Sequence, residues 1–173
     1  MVEKASRTDL GIYVMDTFYI ETTIPSFYYT LRTDPESVAR MHWTRQWWDE
    51  YATHCTLMTS AVVIEELRRG ASEKKEHRIA LLEGMVVLPI TEEIVEIAQI
   101  YIDKLVMPKA PGDALHLAIA SYYKVDALLT WNCKHLANAN KLNHIRRINF
   151  EIGLPTPVLA TPLNYLGGES SNE

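Results

Sequence analysis

Several features that mark common protein classes are scarce or missing in this sequence. It has only two cysteines, Cys55 and Cys133, and no CxxC motif, which excludes the disulfide framework of a small secreted domain and favours a reducing compartment. No hydrophobic run approaches the length that spans a bilayer, and the first residues lack the apolar core of a signal peptide. We therefore expect a soluble, cytoplasmic protein with no membrane partner.

Positive charge is also scarce. Lysine and arginine number 17 against 22 acidic residues, which gives a formal net charge of −5. A chain of this charge would bind nucleic acid only through a local basic cluster or through metal ions. At 173 residues and 47% hydrophobic content it can form one domain with a substantial core. We expect that domain over residues 12–163, between a disordered leader at 1–11 and a disordered tail at 164–173.

Short apolar runs alternate with helical patterns along the chain. Helical spacing predicts one helix from Glu36 to Thr53 and another from Ala61 to Arg69, which Ser60 precedes and Gly70 ends. Strands are expected near residues 14–20, 55–59, 85–90, 127–131 and 147–150. This alternation predicts an α/β domain with a mainly parallel sheet, whose ligands bind outside the carboxyl ends of the strands.

Four polar side chains from separate segments lie at that end of the predicted sheet. They are Glu21, Glu66, Asp113 and Asn132, each at a strand end or on the first turns of the helix that follows. Oxygen ligands of this kind, without a paired His or Cys set, suit Mg²⁺ or Mn²⁺. Crowded carboxylates also repel one another unless a cation neutralises them. A metal held in this way can activate water and stabilise charge on a phosphate, as in metal-dependent nucleases.

Three motifs resemble those of the PIN-domain family, and specifically of its VapC-like toxin ribonucleases. They are YIETTIPSFYY, TSAVVIEELRRG and PGDALHLAIASYYKVDALLTWNCKHLAN, which occur in the family's order over most of the chain. The resemblance implies a three-layer α/β/α sandwich around a mainly parallel five-stranded sheet, and metal-dependent cleavage of RNA. It also implies the toxin role in a toxin–antitoxin pair, with a cognate antitoxin and a homodimer.

The motif positions that match the family imply a set of site residues. The catalytic positions would be Glu21, Glu66, Asp113 and Asn132, of which the three acids would hold Mg²⁺ or Mn²⁺. The family usually has Asp at the first position and an acid at the fourth, so we expect Asn132 to weaken the hold on the cation. Candidates for contacting RNA are Thr22, Ser60, Arg68, Thr130 and Lys134.

Three assignments stay open from the sequence. Asp16 competes with Glu21 for the first acid, although a helix that begins near a proline follows Glu21 and favours it. Glu65 and Glu66 are neighbours on one helix, so one of them should face solvent. His116 lies one turn after Asp113 and is either a metal ligand or, as we prefer, a packed and hydrogen-bonded histidine.

Two other functions compete with the ribonuclease. Glu21 and Asn132 depart from the family pattern, so the domain could bind RNA or protein without cutting. A doubly wound nucleotide-binding or phospho-acceptor domain is disfavoured, because no GxGxxG motif or P-loop follows a strand. An aromatic stripe on one predicted helix is expected in the core or in an interface rather than against bases; it comprises Trp43, Trp47, Trp48 and Tyr51.

Overall fold

The protein was analysed as a computed structural model, which describes residues 6–7, 13–14, 16–104, 106–107 and 109–167. The strands are β1 (Ser6–Arg7), β2 (Tyr13–Val14), β3 (Thr17–Ile20), β4 (Thr56–Ser60), β5 (Val86–Leu88), β6 (Ala127–Leu129) and β7 (Val158–Ala160). The helices are α1 (Thr23–Tyr28), α2 (Pro35–Tyr51), α3 (Ala61–Arg69), α4 (Lys75–Ala80), α5 (Glu92–Asp103), α6 (Pro111–Tyr122) and α7 (Ala139–Glu151).

Five strands form one parallel sheet in the order β5-β4-β3-β6-β7, with helices on both sides. This confirms the predicted three-layer α/β/α architecture. The centre of the sheet is buried on both faces: Leu128 and Leu129 of β6 and Tyr19 of β3 are inaccessible to solvent. Within the described residues, no helix is long and apolar enough to cross a membrane.

Helix α6 is buried on most of its circumference, as its sequence predicts. Seven residues from Ala114 to Ser121 are buried, and the helix packs most extensively against α5. Pro111 is its first residue, a position where the missing N–H of proline costs nothing. Asp113 is therefore the third residue of the helix rather than its cap, and the packed helix fixes where this carboxylate lies.

The predicted strand at 147–150 is wrong. These residues belong to α7, in which Ile145, Ile148 and Asn149 are buried at helical spacing, whereas Phe150 is 85% exposed. The fifth strand is β7, which follows Pro155 and Pro157. It is an edge strand, where nearby prolines are tolerated.

The domain boundaries differ in detail from the expected ones. Tyr165 and Leu166 pack on the core, so the folded part extends past residue 163. Residues 168–173 of the expected tail lie outside the described residues. In the expected leader only Ser6–Arg7 is described, as a strand antiparallel to Tyr13–Val14 and apart from the main sheet. The first strand of that sheet is shorter than expected, since it begins at Thr17.

Candidate metal centre

The carboxyl ends of three neighbouring strands position the candidate site. Glu21 follows β3 directly, Ser60 ends β4, and Thr130 follows β6. Asp16 precedes β3, so it lies at the amino ends of the strands, opposite the candidate site. Its backbone carbonyl accepts a hydrogen bond from the Thr56 N–H. The first acid at this edge is therefore Glu21, as preferred from the sequence.

Two threonines hold the Glu21 carboxylate, which is only 3% exposed. Its Oε2 accepts from the Thr23 N–H at 3.0 Å, from Thr23 Oγ1 at 2.5 Å and from Thr130 Oγ1 at 2.8 Å. Each hydroxyl in turn accepts a backbone N–H, Thr23 from Trp131 at 2.8 Å and Thr130 from Asn132 at 2.9 Å. Because a hydroxyl has one proton, each threonine is set to donate to Glu21.

The other Glu21 oxygen, Oε1, accepts no hydrogen bond from the described residues. Burial raises the pKa of Glu21, and the charge of His116 and the hydrogen bonds of Thr23 and Thr130 offset this only in part. The buried carboxylate is therefore costly to ionise. A bound cation would remove that cost.

Glu66 lies opposite Glu21 and is more exposed. Thr22 Oγ1 donates to its Oε2, and His116 Nε2 lies 3.1 and 3.2 Å from its two oxygens. Burial raises the pKa of Glu66, but the hydrogen bond and charge of His116, with smaller effects of Thr22 and Arg69, outweigh it and lower the pKa overall. Glu66 is therefore held as a carboxylate.

Glu65, in contrast, is exposed and pairs with Arg68 at 2.9 Å, as expected for the neighbour that faces solvent.

His116 is buried and hydrogen-bonded at both ring nitrogens. Besides Glu66 at Nε2, its Nδ1 lies 2.8 Å from Tyr19 Oη, which lies 2.8 Å from Ser60 Oγ. Burial lowers the pKa of His116, but the bond to Glu66 and the charges of Glu21, Glu66 and Asp113 outweigh burial and raise it. This arrangement agrees with the preferred interpretation of His116 as a packed, hydrogen-bonded histidine.

Asp113, the third expected acid, lies in the first turn of α6 and is half-buried. Its charge contributes to raising the pKa of His116. The preceding Gly112 approaches Glu66 so closely that a Cβ there would lie 3.2 Å from Oε1. The start of α6 is thus pressed against the Glu66 carboxylate.

Asn132 lies just after the carboxyl end of β6, as expected, and its side chain makes a local contact. Its Oδ1 accepts from the His135 N–H at 3.0 Å and stabilises the turn after β6. Its contribution to the site is the backbone N–H that it donates to Thr130.

The residues proposed to contact RNA fall into two groups. Thr22 and Thr130 lie in the site, but each is hydrogen-bonded to a carboxylate, and Ser60 is fully buried against Tyr19. Ser60 therefore neither faces solvent nor caps α3 with its side chain. Arg68 and Lys134 are exposed outside the site.

The sequence interpretation missed Tyr19 and Thr23. Thr23 follows Glu21 by two residues, a local hydroxyl–carboxylate spacing that is visible in the sequence. Tyr19 precedes Glu21 by two and so points to the same side of the extended chain, which was the available signal for it.

The ligand atoms of Glu21, Glu66 and His116 all lie within 4.8 Å of one another. This spacing and the carboxylate oxygens fit a divalent cation held by Glu21 and Glu66. Asp113, expected from the sequence as the third ligand, is not in this group. His116 Nε2 is already bonded to Glu66.

Three comparisons place this chain among known proteins. The family model described as PIN domain matches residues 33–139, which include Glu66, Asp113 and Asn132 but begin after Glu21. A search of curated proteins finds no significant match.

Two solved structures share the fold. A chain in the crystal structure of VapBC2 from Rickettsia felis, bound to a DNA fragment from their promoter, is 16% identical with a TM-score of 0.55. A chain in the crystal structure of FitAcB from Neisseria gonorrhoeae is 12% identical with a TM-score of 0.50. Each alignment covers 84% of this chain and 98% of the other. Since the family model matches more than half of the chain, the protein belongs to the PIN domain family.

Proposed function

We propose that this protein is a metal-dependent endoribonuclease and the toxin of a toxin–antitoxin pair. The observation that carries the proposal is the pairing of Glu21 and Glu66. Glu21 is buried, its Oε1 accepts no hydrogen bond from the part of the chain that the structure describes, and Glu66 lies beside it as a carboxylate. Two acids in this arrangement are suited to share a divalent cation.

Glu21, Glu66 and Asp113 would hold Mg²⁺ or Mn²⁺. A cation held by these residues would supply activation of a water molecule and neutralisation of charge on the scissile phosphate. Thr23 and Thr130 fix the orientation of Glu21. The net charge of −5 makes this cation the main source of attraction for an RNA phosphate.

Partner proteins are part of the proposal. The similar VapBC2 chain was crystallised in a complex, and this chain has apolar surface for a partner at its edge strand β5, where Val86 and Val87 are each 49% exposed. Exposed apolar surface on an edge strand favours association. We propose an antitoxin protein and a second copy of the chain as the partners.

A second candidate function is a PIN domain that binds RNA without cutting it. The Asn132 side chain favours it, because its Oδ1 bonds to His135 and brings no fourth charge to the site. The two functions differ in one measurable result, which is whether bound RNA is cleaved.

The test is cleavage of a pool of structured and single-stranded RNA with Mg²⁺, with Mn²⁺ and with EDTA, by the native protein and by Asp113→Asn. The ribonuclease predicts cleavage that needs metal and is lost in the variant. Intact RNA with either metal, from a folded protein that still binds RNA, would favour the second function. A chain that neither binds nor cleaves RNA would contradict both.

A further inference from the structure

A buried chain of hydrogen bonds leads from the core to Glu66. It runs from Ser60 through Tyr19 and His116 to Glu66, with 2.8 Å between Ser60 Oγ and Tyr19 Oη and 2.8 Å between Tyr19 Oη and His116 Nδ1. Ser60 and Tyr19 are inaccessible to solvent, and His116 is 1% exposed. We call it the Tyr19–His116 chain.

The direction of each bond follows from counting protons. The Glu66 carboxylate only accepts, so His116 Nε2 carries a proton and donates it. In neutral imidazole Nδ1 then accepts from Tyr19 Oη, and Tyr19 accepts from Ser60. In the imidazolium form Nδ1 donates to Tyr19 Oη, and the hydroxyls of Tyr19 and Ser60 rotate so that Tyr19 donates to Ser60. The ring remains hydrogen-bonded at both nitrogens. The ring orientation therefore does not depend on its charge.

We propose that His116 is a positioning residue that aims Glu66 at the metal and that Tyr19 holds it there, so that His116 does not itself ligate the cation. Partners of metal-ligating groups typically change metal affinity by about 10- to 100-fold when they are removed. The inference rests on the proposed function, because it needs Glu66 to be a metal ligand.

The position of Tyr19 supports this role over simple packing. It lies on β3 two residues before Glu21, and its hydroxyl joins β4 to α6. One phenol thereby links the strand that carries the first acid to the helix that carries the third. A phenylalanine would fill the same space but would leave His116 Nδ1 and Ser60 without this partner.

Tyr101, which lies outside the Tyr19–His116 chain, provides a matched control. It is also fully buried, and its hydroxyl donates to Asn149 Oδ1 at 2.5 Å, in contacts between α5 and α7. Tyr101→Phe and Tyr19→Phe each delete one buried hydroxyl. Only Tyr19→Phe removes a hydrogen bond to His116, the residue that contacts Glu66.

The experiment measures Mn²⁺ affinity by calorimetric titration and thermal stability for the tag-free native protein, Tyr19→Phe and Tyr101→Phe. We expect both variants to lose stability, and only Tyr19→Phe to bind Mn²⁺ about tenfold more weakly. Equal Mn²⁺ affinity in all three proteins would overturn the inference and leave the metal site intact. A native protein that binds no Mn²⁺ would overturn the proposed function together with it.

Two substitutions of His116 separate positioning from packing and from ligation. His116→Gln keeps an N–H donor and should retain most of the Mn²⁺ affinity, whereas His116→Leu fills the space and should lose it. If His116 only filled space, His116→Leu would bind Mn²⁺ at least as tightly as His116→Gln. Pulsed electron paramagnetic resonance of the Mn²⁺-loaded native protein should show no directly bound nitrogen; nitrogen coupling that disappears in His116→Gln would make His116 a ligand and overturn the inference.

Discussion

Thr130 Oγ1 donates a hydrogen bond to Glu21 Oε2 at 2.8 Å, across 109 residues of sequence. The same hydroxyl accepts the Asn132 N–H at 2.9 Å. The loop after β6 therefore fixes the side chain that follows β3. This contact helps to keep the buried carboxylate in one orientation, in which its Oε1 has no donor among the described residues.

Thr130→Val should weaken both the fold and the metal site. Valine has nearly the same shape but leaves Glu21 Oε2 and the Asn132 N–H without this partner, which should cost about 1–3 kcal/mol of unfolding free energy. Denaturant unfolding and Mn²⁺ titration measure the two effects.

The control for Thr130→Val is Thr156→Val, which deletes a hydroxyl that accepts from Asn149 near the opposite edge of the sheet. It should leave the Mn²⁺ affinity unchanged. Unchanged affinity in Thr130→Val as well would show that the threonine does not position Glu21.

Glu21→Asp restores the residue usual in the family, yet we expect it to lower Mn²⁺ affinity and activity. Aspartate is shorter by about one bond length, so its carboxylate would withdraw from the hydroxyls of Thr23 and Thr130, which are placed for the longer side chain. The rate of metal-dependent RNA cleavage checks this. A rate above that of the native protein would mean that the threonines are not adapted to glutamate.

The contribution of Glu21 to the stability of the metal-free protein should fall as the pH rises. The pKa of Glu21 lies above its usual value of 4.5 in the folded chain, because burial disfavours the charged form. The folded protein thus keeps a proton that the unfolded chain releases, and the unfolding free energy falls from about pH 4.5 up through the folded pKa, by at most about 1.4 kcal/mol per pH unit.

Glu21→Gln cannot ionise and should lack this part of the pH dependence. Unfolding in urea with EDTA, at several pH values, compares the two proteins. A difference in stability between them that stays constant with pH would contradict the raised pKa.

Gly112→Ala should impair the site more than the fold. Alanine favours a helix by up to about 1 kcal/mol over glycine, but its Cβ would lie 3.2 Å from Glu66 Oε1 and push that carboxylate aside. We expect weaker Mn²⁺ binding without loss of stability. Native Mn²⁺ affinity in Gly112→Ala would show that the Glu66 carboxylate can give way to the Cβ without leaving the site.

The sequence predicted the sheet because most of its strands are apolar runs bounded by helical patterns. The strand predicted at residues 147–150 was wrong. Ile148 and Phe150 alternate there with polar residues as in a strand, but the segment is helical and Phe150 faces solvent. The true strand, β7, has three residues and follows two prolines, so no periodicity could establish it. Edge strands of this length are defined by their neighbour, here β6.

The closeness of Glu21 and Glu66 was predictable for a different reason. Glu21 directly follows β3 and Glu66 lies on the helix that follows β4, and neighbouring parallel strands bring their carboxyl ends together. The hydrogen bonds that hold them were not predictable in this way. Tyr19 and His116 are 97 residues apart, and only the packing of α6 on the sheet brings them into contact.

The most direct test of the metal site compares two neighbouring glutamates. Glu66→Gln removes a charge that faces the site, whereas Glu65→Gln removes one from an exposed residue paired with Arg68. Both should fold, because Glu65 is exposed and because Gln at position 66 fits the space of Glu and keeps an oxygen that can accept from Thr22 or His116. With Mn²⁺ present, Glu65→Gln should cleave RNA at the native rate, and Glu66→Gln should lose both cleavage and Mn²⁺ binding. Native cleavage and Mn²⁺ affinity in Glu66→Gln would contradict the account.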